Sequence, residues 1–113
     1  MQHREVCTLF LGVIAGLLAA SNAMAEAPLP ARQAVLLNLV RHDCGSCHGL
    51  TMAGGLGLPL SPEVLKEKPR EMLSETILRG RPGTPMPPWQ DFLTEEEAGW
   101  IVDLLLKGMP DAR

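Results

Sequence analysis

The stretch Cys44-Gly45-Ser46-Cys47-His48 decides how the rest of this 113-residue chain is interpreted. The pattern C-x-x-C-H is typical of sites at which a haem is attached to the chain. Two thiols three positions apart can each form a thioether bond to one of the two vinyl groups of a single porphyrin. The adjacent His48 then lies under the iron and can supply its proximal imidazole. The sequence therefore predicts one covalently bound haem c.

Other uses of a C-x-x-C pair fit this chain less well. A thioredoxin-like redox pair requires a βαβ setting, and the sequence contains no convincing strand. A structural zinc site requires about four Cys or His ligands, and after residue 25 only His42 could join the three in the motif. A solvent-facing pair of free thiols is disfavoured because such thiols oxidise in an exported protein.

Residues 1–25 have the pattern of a secretory signal peptide. His3 and Arg4 precede an apolar run from Val6 to Ala20, and Ala23 and Ala25 form the A-x-A cleavage pattern. The run is shorter than the about 20 apolar residues that a membrane span needs, so an uncleaved anchor is the less favoured alternative. We expect cleavage after Ala25, export to the periplasm, and no stable membrane span in the mature chain.

The mature chain, residues 26–113, has room for one small domain. Its cysteines are Cys44 and Cys47, and both belong to the motif, so a covalent porphyrin takes the place of the disulfides that chains of this size often need. Nine Lys and Arg residues face twelve Asp and Glu residues, without a basic stripe suited to nucleic acid. We expect one monohaem domain, a monomer, and no nucleic-acid partner.

Helices joined by Gly/Pro-rich loops are predicted along the mature chain, so the fold class is all-α. The last helix has the clearest signals, because Thr94-x-x-Glu97 is a capping box and Gly108 followed by Pro110 ends the helix. The predicted helices span residues 31–42, 61–68, 69–80 and 94–108. The residues expected on the apolar face of the last helix are Trp100, Ile101, Leu104 and Leu105.

Met86 is the favoured second axial ligand. It lies in Arg81-Pro82-Gly83-Thr84-Pro85-Met86-Pro87-Pro88-Trp89, where prolines on both sides stiffen the loop and lower the entropy lost on ordering it. His/Met ligation raises the haem potential and fills the coordination sphere, which suits electron transfer rather than oxygen chemistry. The alternatives are a gap-filling role for Met86, as expected for Met52 and Met72, and a bis-His or five-coordinate haem.

Three further features have roles that the sequence leaves open. An axial histidine normally donates its Nδ1–H to a carbonyl or carboxylate, and the loop around Pro59 is well placed to supply this acceptor. Trp89 and Trp100 are expected to pack in the core, where either could line the haem. Arg79 and Arg81 could pair with a haem propionate or could form only a solvated helix end.

These features resemble class I cytochromes c over the whole mature chain. The resemblance rests on the C-x-x-C-H motif, the glycine-rich loop that follows it, the Met86 loop and the capped last helix. The roles that it implies are thioether bonds at Cys44 and Cys47, proximal ligation by His48, distal ligation by Met86, and a backbone carbonyl of Pro59 that accepts from His48. It also implies that the first and last helices cross. The family usually places a glycine and an aromatic residue at that crossing, whereas this chain has Leu36 and Val40.

A narrower resemblance is to the small c-55X cytochromes of denitrifying bacteria, which are encoded with the haem-cd nitrite reductase. Two segments carry it, His42-Asp43-Cys44-Gly45-Ser46-Cys47-His48-Gly49-Leu50 and Gly80-Arg81-Pro82-Gly83-Thr84-Pro85-Met86-Pro87-Pro88-Trp89. The resemblance implies a periplasmic carrier of single electrons that donates to this reductase and is not itself an enzyme. The alternative is a redox or docking partner in maturation of the reductase's special haem. A third possibility is a gas-binding cytochrome with a labile Met86.

Overall fold

The computed structural model describes residues 26–110, and the predicted signal peptide lies outside these residues. Between residues 26 and 110 the chain is helical and contains no strand, which confirms the predicted all-α class. No helix within this range is long and apolar enough to cross a membrane. The helical elements are α1 Pro30–Leu39, a π-helical turn Val40–Cys44, α2 Gly45–His48, α3 Pro62–Leu65, α4 Arg70–Arg79 and α5 Glu95–Lys107.

The first helix runs directly into the C-x-x-C-H motif. The amide of Gly45 donates to the carbonyl of Val40, five residues earlier, which is the hydrogen bond of a π turn. The spacing of the buried residues changes in the same way. Leu36 and Val40, which are fully buried, lie four residues apart, whereas the next buried residue, Gly45, follows five residues after Val40. The predicted end at His42 is therefore too early. After the π turn Gly45 is buried, while Cys44 is half-buried against the core.

The middle helices begin where the sequence indicates. α3 follows Ser61 with Pro62 at its first position, but it ends at Leu65 rather than at residue 68. α4 follows Pro69 and ends at Arg79, with Gly80 as its C-cap, and it packs mainly against α5. Arg70 at the start of α4 reaches α5, where its Nε lies 2.7 Å from Oδ1 of Asp103.

α5 closes the core and is capped as predicted. The Oγ1 of Thr94 accepts from the amide of Glu97 at 3.2 Å, and the Glu97 carboxylate accepts from the amide of Thr94 at 3.0 Å. The buried face is rotated from the predicted one, because Trp100 and Leu104 are only half-buried. The residues of α5 that are buried are Ala98, Gly99, Ile101, Val102 and Leu105.

α1 contacts α5 without the usual glycine and aromatic residue. Leu36 and Val40 are fully buried in one cluster with residues of α5. Arg32 on α1 also pairs with the capping residue Glu97, with Nε 2.5 Å from Oε1. Met52 lies in this cluster, which confirms its predicted core role, whereas Met72 is 44% exposed and its predicted core role is wrong.

Candidate haem-binding site

The two motif cysteines lie one helical turn apart on the stretch that joins the π turn to α2. Both are free thiols, and both are half-buried. Residues three positions apart on a helix are neighbours on its surface, so the two thiols lie on the same side of the stretch. This arrangement suits attachment of one porphyrin through two bonds.

The acidity of Cys44 does not suit a redox-active pair. Burial, and to a lesser extent the nearby Asp43 carboxylate, raises the pKa of the Cys44 thiol to about 11. Reactive C-x-x-C pairs have a thiol whose pKa is lowered, often by a helix N-terminus. Cys44 instead lies within a continuous helical stretch and stays a protonated thiol at neutral pH. This observation argues against the thioredoxin-like alternative.

His48 is oriented by a backbone carbonyl in the following loop. Its Nδ1 lies 2.7 Å from the carbonyl oxygen of Leu58. Because a carbonyl only accepts, Nδ1 carries the hydrogen and donates it, which leaves Nε2 free to bind iron. The acceptor is one residue earlier than the predicted Pro59. Pro59 still contributes, since a residue before proline is restricted to extended conformations, and this fixes the direction of the Leu58 carbonyl.

The loop between α2 and α3 is tied back to the motif by its backbone. The amide of Gly57 donates to the Cys47 carbonyl at 2.7 Å, and the amide of Gly54 donates to the His48 carbonyl at 2.8 Å. These bonds satisfy carbonyls at the end of α2 that have no partner within the helix. The loop thus holds a defined position beside the His48 ring.

Met86 is half-buried in a loop whose backbone is fixed on both sides of it. Its amide donates to Oγ1 of Thr84 at 3.3 Å, and its carbonyl accepts from the amide of Arg81 at 3.2 Å. Gly80 packs directly under the loop, because a Cβ there would lie 2.7 Å from the Met86 carbonyl oxygen. These contacts define the shape of the loop, and the role of Met86 as a ligand stays a prediction.

The two tryptophans and the two arginines have different surroundings. Trp89 and Trp100 are partly buried against the core, as predicted. Arg79 pairs with Glu75 on the same helix, with Nε 2.7 Å from Oε2. Within residues 26–110 the side chain of Arg81 has no hydrogen-bond or ion-pair partner. The pairing of either arginine with a propionate stays a prediction.

The surface beside His48 fits a porphyrin. Large apolar side chains in the loop after the motif are exposed, with Leu50 at 75%, Leu56 at 92% and Leu58 at 67%. Such a group on a loop held by its own hydrogen bonds is a surface that a ligand or partner covers. Two thiols on one side, an imidazole with a free Nε2 and apolar side chains next to it are the groups that haem c requires.

Comparison with known proteins agrees with this geometry. Residues 31–105 match the family described as cytochrome C oxidase, cbb3-type, subunit III. A cytochrome c55X of Pseudomonas aeruginosa is 58% identical over 83 residues, covering 74% of this chain and 70% of that protein. The cytochrome c55X of Paracoccus denitrificans is 54% identical over 90 residues, covering 80% and 87%. This chain belongs to the cytochrome c55X family. The predicted resemblance to small c-55X cytochromes is thereby confirmed.

The three-dimensional comparison supports the cytochrome c55X assignment. A solved c-type cytochrome NirC superposes with a TM-score of 0.71 at 56% sequence identity, covering 73% of this chain and 96% of that one. The all-α fold is thus that of a class I cytochrome c, and membership of this family implies covalently bound haem c.

One further relative is much longer. A dihydro-heme d1 dehydrogenase of Pseudomonas aeruginosa is 36% identical over 102 residues, which is 90% of this chain but 19% of that protein.

Proposed function

We propose that this cytochrome carries single electrons in the periplasm to the haem-cd nitrite reductase of denitrification. The observation that carries the proposal is the orientation of the His48 ring. Its Nδ1–H donates to the Leu58 carbonyl, which leaves Nε2 available to bind iron. Membership of the cytochrome c55X family supports it. Haem c, when bound, supplies one-electron transfer.

Different residues of the chain would attach the haem, bind its iron and orient the iron ligand. Cys44 and Cys47 would hold one haem covalently, and His48 would bind its iron through Nε2. Leu58 fixes the tautomer and the orientation of the His48 ring. Met86, held by the Pro-rich loop, would be the second ligand of the iron. None of these residues takes part in acid–base or nucleophilic chemistry, so we propose a carrier rather than an enzyme.

The periplasmic location and the domain boundaries belong to the same proposal. Residues 1–25 act as a signal peptide that is cleaved after Ala25, and residues 26–113 form one monohaem domain that works as a monomer. The family match supports this division because it begins at residue 31, after the proposed cleavage point.

Rapid mixing tests the proposed partner. Reduced mature protein is mixed with oxidised haem-cd nitrite reductase while the c-haem absorbance is followed, with and without nitrite. We expect oxidation fast enough to support turnover when nitrite is added. Slow or absent transfer, from a protein with a normal His/Met spectrum, would contradict the donor role.

A second candidate function is supported by the match to the dihydro-heme d1 dehydrogenase. An enzyme that removes electrons from a dihydro-haem must pass them to an acceptor, and 90% of this chain aligns with part of such an enzyme. The candidate role is a redox or docking partner in maturation of the reductase's special haem. It predicts that the oxidised cytochrome is reduced when mixed with such a dehydrogenase and dihydro-haem d1, with no reduction when the substrate is omitted.

A further inference from the structure

A glycine outside the C-x-x-C-H motif lies directly against the ring of His48. A Cβ built on Gly57 would lie 2.7 Å from both Cε1 and Nδ1 of this ring and 3.3 Å from its Cγ. Atoms do not approach a Cβ as closely as 2.7 Å, so position 57 excludes any side chain while the ring stays in place. The φ angle of Gly57 is not in the left-handed region. The glycine is therefore required for close approach rather than for backbone conformation.

Hydrogen bonds hold Gly57 in this position. Its amide donates to the carbonyl of Cys47 at 2.7 Å, and its carbonyl accepts from the amide of Gly55 at 3.0 Å. The next residue, Leu58, supplies the acceptor for Nδ1 of His48. The backbone of residues 57–58 thus both contacts the ring and binds its nitrogen, while it is anchored to the residue that precedes His48.

We propose that Gly57 is a positioning residue for the proximal imidazole. Its lack of a side chain lets the loop lie against the ring, which fixes the plane of the imidazole and keeps the bond from Nδ1–H to Leu58 short. A short bond at Nδ1 increases the basicity of the ligand at Nε2. A more basic ligand favours the ferric state, so Gly57 holds the reduction potential lower than the same ligands would give with a displaced loop. The inference rests on haem ligation by His48.

Gly57→Ala tests this role, and the chain supplies two matched controls. Gly45→Ala lies within the motif, but its Cβ would make only ordinary contacts of 3.5–3.6 Å with Leu50 and Met52. Gly55→Ala crowds the same loop, with its Cβ 2.8 Å from the Cys47 carbonyl oxygen, and its three nearest atoms belong to the backbone of Cys47 and Gly49 rather than to the ring. Comparison with Gly55→Ala separates a displaced loop from a displaced imidazole.

The measurements are made on the holoprotein. We expect Gly57→Ala to speed exchange of the His48 Nδ1 proton about tenfold, as when an ordinary hydrogen bond is lost, and to raise the reduction potential. NMR follows the exchange and redox titration follows the potential. Gly45→Ala should keep values close to those of the unmodified protein, and Gly55→Ala should change both values less than Gly57→Ala does. Equal exchange and equal potential in Gly57→Ala and Gly45→Ala would overturn the proposal.

Two further outcomes are also decisive. If Gly57→Ala accumulates without haem while Gly55→Ala is loaded normally, the loss is specific to the position beside the ring and supports the proposal. If both variants lack haem, the effect belongs to the loop in general and the proposal fails. Failure of the proposed function is distinguishable from either, because it is seen in the unmodified protein, as slow transfer to the nitrite reductase, and does not depend on the two variants.

Discussion

Replacing Gly80 with alanine would disturb the junction between α4 and the Met86 loop in two ways. Gly80 has φ 67° and ψ −167°, a combination that side chains strongly disfavour at a cost of about 1–3 kcal/mol. A Cβ would also lie 2.7 Å from the Met86 carbonyl oxygen, the Pro87 carbonyl carbon and the Pro88 nitrogen. All three are backbone atoms, so no side-chain rotation can relieve the overlap and the loop has to move.

The expected loss of stability combines these two effects. Movement of the loop breaks the bond from the Arg81 amide to the Met86 carbonyl, which is 3.2 Å long, and a bond of this kind contributes about 1 kcal/mol. With the backbone strain, the free energy of unfolding should fall by about 2–4 kcal/mol. For a domain of this size that is a decrease in Tm of about 10–30 °C.

Gly83→Ala is the matched control in the same loop. Gly83 also has a positive φ, 78°, but a Cβ there would meet no atom within 4 Å. Only the conformational cost remains, about 1–2 kcal/mol. Thermal unfolding and the sulfur-ligand absorption band of the ferric holoprotein are measured for both variants. We expect Gly80→Ala to be the less stable and to lose most of the band, while Gly83→Ala keeps it. Equal stability with an intact band in Gly80→Ala would refute the reasoning.

Three further predictions concern Met86, the proposed distal ligand, and α5. Met86→Ala should keep covalent haem but lose the sulfur-ligand band and show a lowered potential, since the thioether raises it; an unchanged spectrum would remove Met86 from the site. Thr94→Ala removes half of the capping box, so the free energy of unfolding in urea should fall by about 1 kcal/mol, and an unchanged value would contradict the role of the cap. The hydrogen bond and charge of Arg32 lower the pKa of Glu97 in the folded protein. That stabilisation is present above the usual carboxyl pKa of about 4.3 and is lost as the pH falls through the folded-state value. Urea unfolding at a series of pH values should therefore show a weaker acid dependence in Arg32→Gln, and equal slopes would contradict the pairing.

Helix boundaries were predictable where a residue acts on its own backbone. The capping box at Thr94, the proline at position 62 and the stop at Gly80 all lie where the sequence indicates. The end of the first helix carries no such signal, because neither glycine nor proline occurs between Val40 and Cys44. The backbone stays helical until His48 and stops at Gly49, where φ is 89°. The π turn inserts one residue without changing the apolar pattern before it, so periodicity could not reveal it.

Burial was less predictable, because it depends on how the elements meet. Met72 belongs to the apolar stripe of α4, yet its side of the helix is left exposed. Met52 is buried because the loop turns at this residue with φ 59°, an unusual value for a side chain. On α5, packing against α4 and α1 selects Ala98 and Val102 in place of Trp100 and Leu104. No pattern within one helix contains that information.

The residues of the haem site were also predictable only in part. The residue types of the motif identify Cys44, Cys47 and His48, because the chemistry of attachment needs these groups at this spacing. The acceptor for His48 depends on the register of a loop that folds back by ten residues, and the structure assigns it to Leu58 rather than Pro59. The contact of Gly57 with the ring is equally a matter of register. The signal in the sequence is the glycine itself, since a loop glycine marks either an unusual backbone conformation or a close approach, and the structure distinguishes the two.

His48 and Met86, the two proposed ligands of the iron, are held in place by different contacts. His48 is part of a helix, donates to Leu58 at 2.7 Å and lies against Gly57. Met86 lies in a loop, where its own carbonyl and amide make longer hydrogen bonds of 3.2 and 3.3 Å, and it depends on the packing of Gly80 beneath it. Loss of a ligand should therefore occur first at Met86, so a gas-binding role would have to act through release of this residue.

Carbon monoxide distinguishes such a role from electron transfer. In an electron carrier Met86 stays bound to the iron. The ferrous forms of the unmodified protein and of Gly83→Ala should therefore not bind carbon monoxide. Gly80→Ala, in which the loop is displaced, should bind it, because the free energy that holds Met86 is reduced by the backbone overlap. Ready binding by the unmodified protein would mean that the contacts around Gly80 do not hold the ligand, and it would favour gas binding over electron transfer.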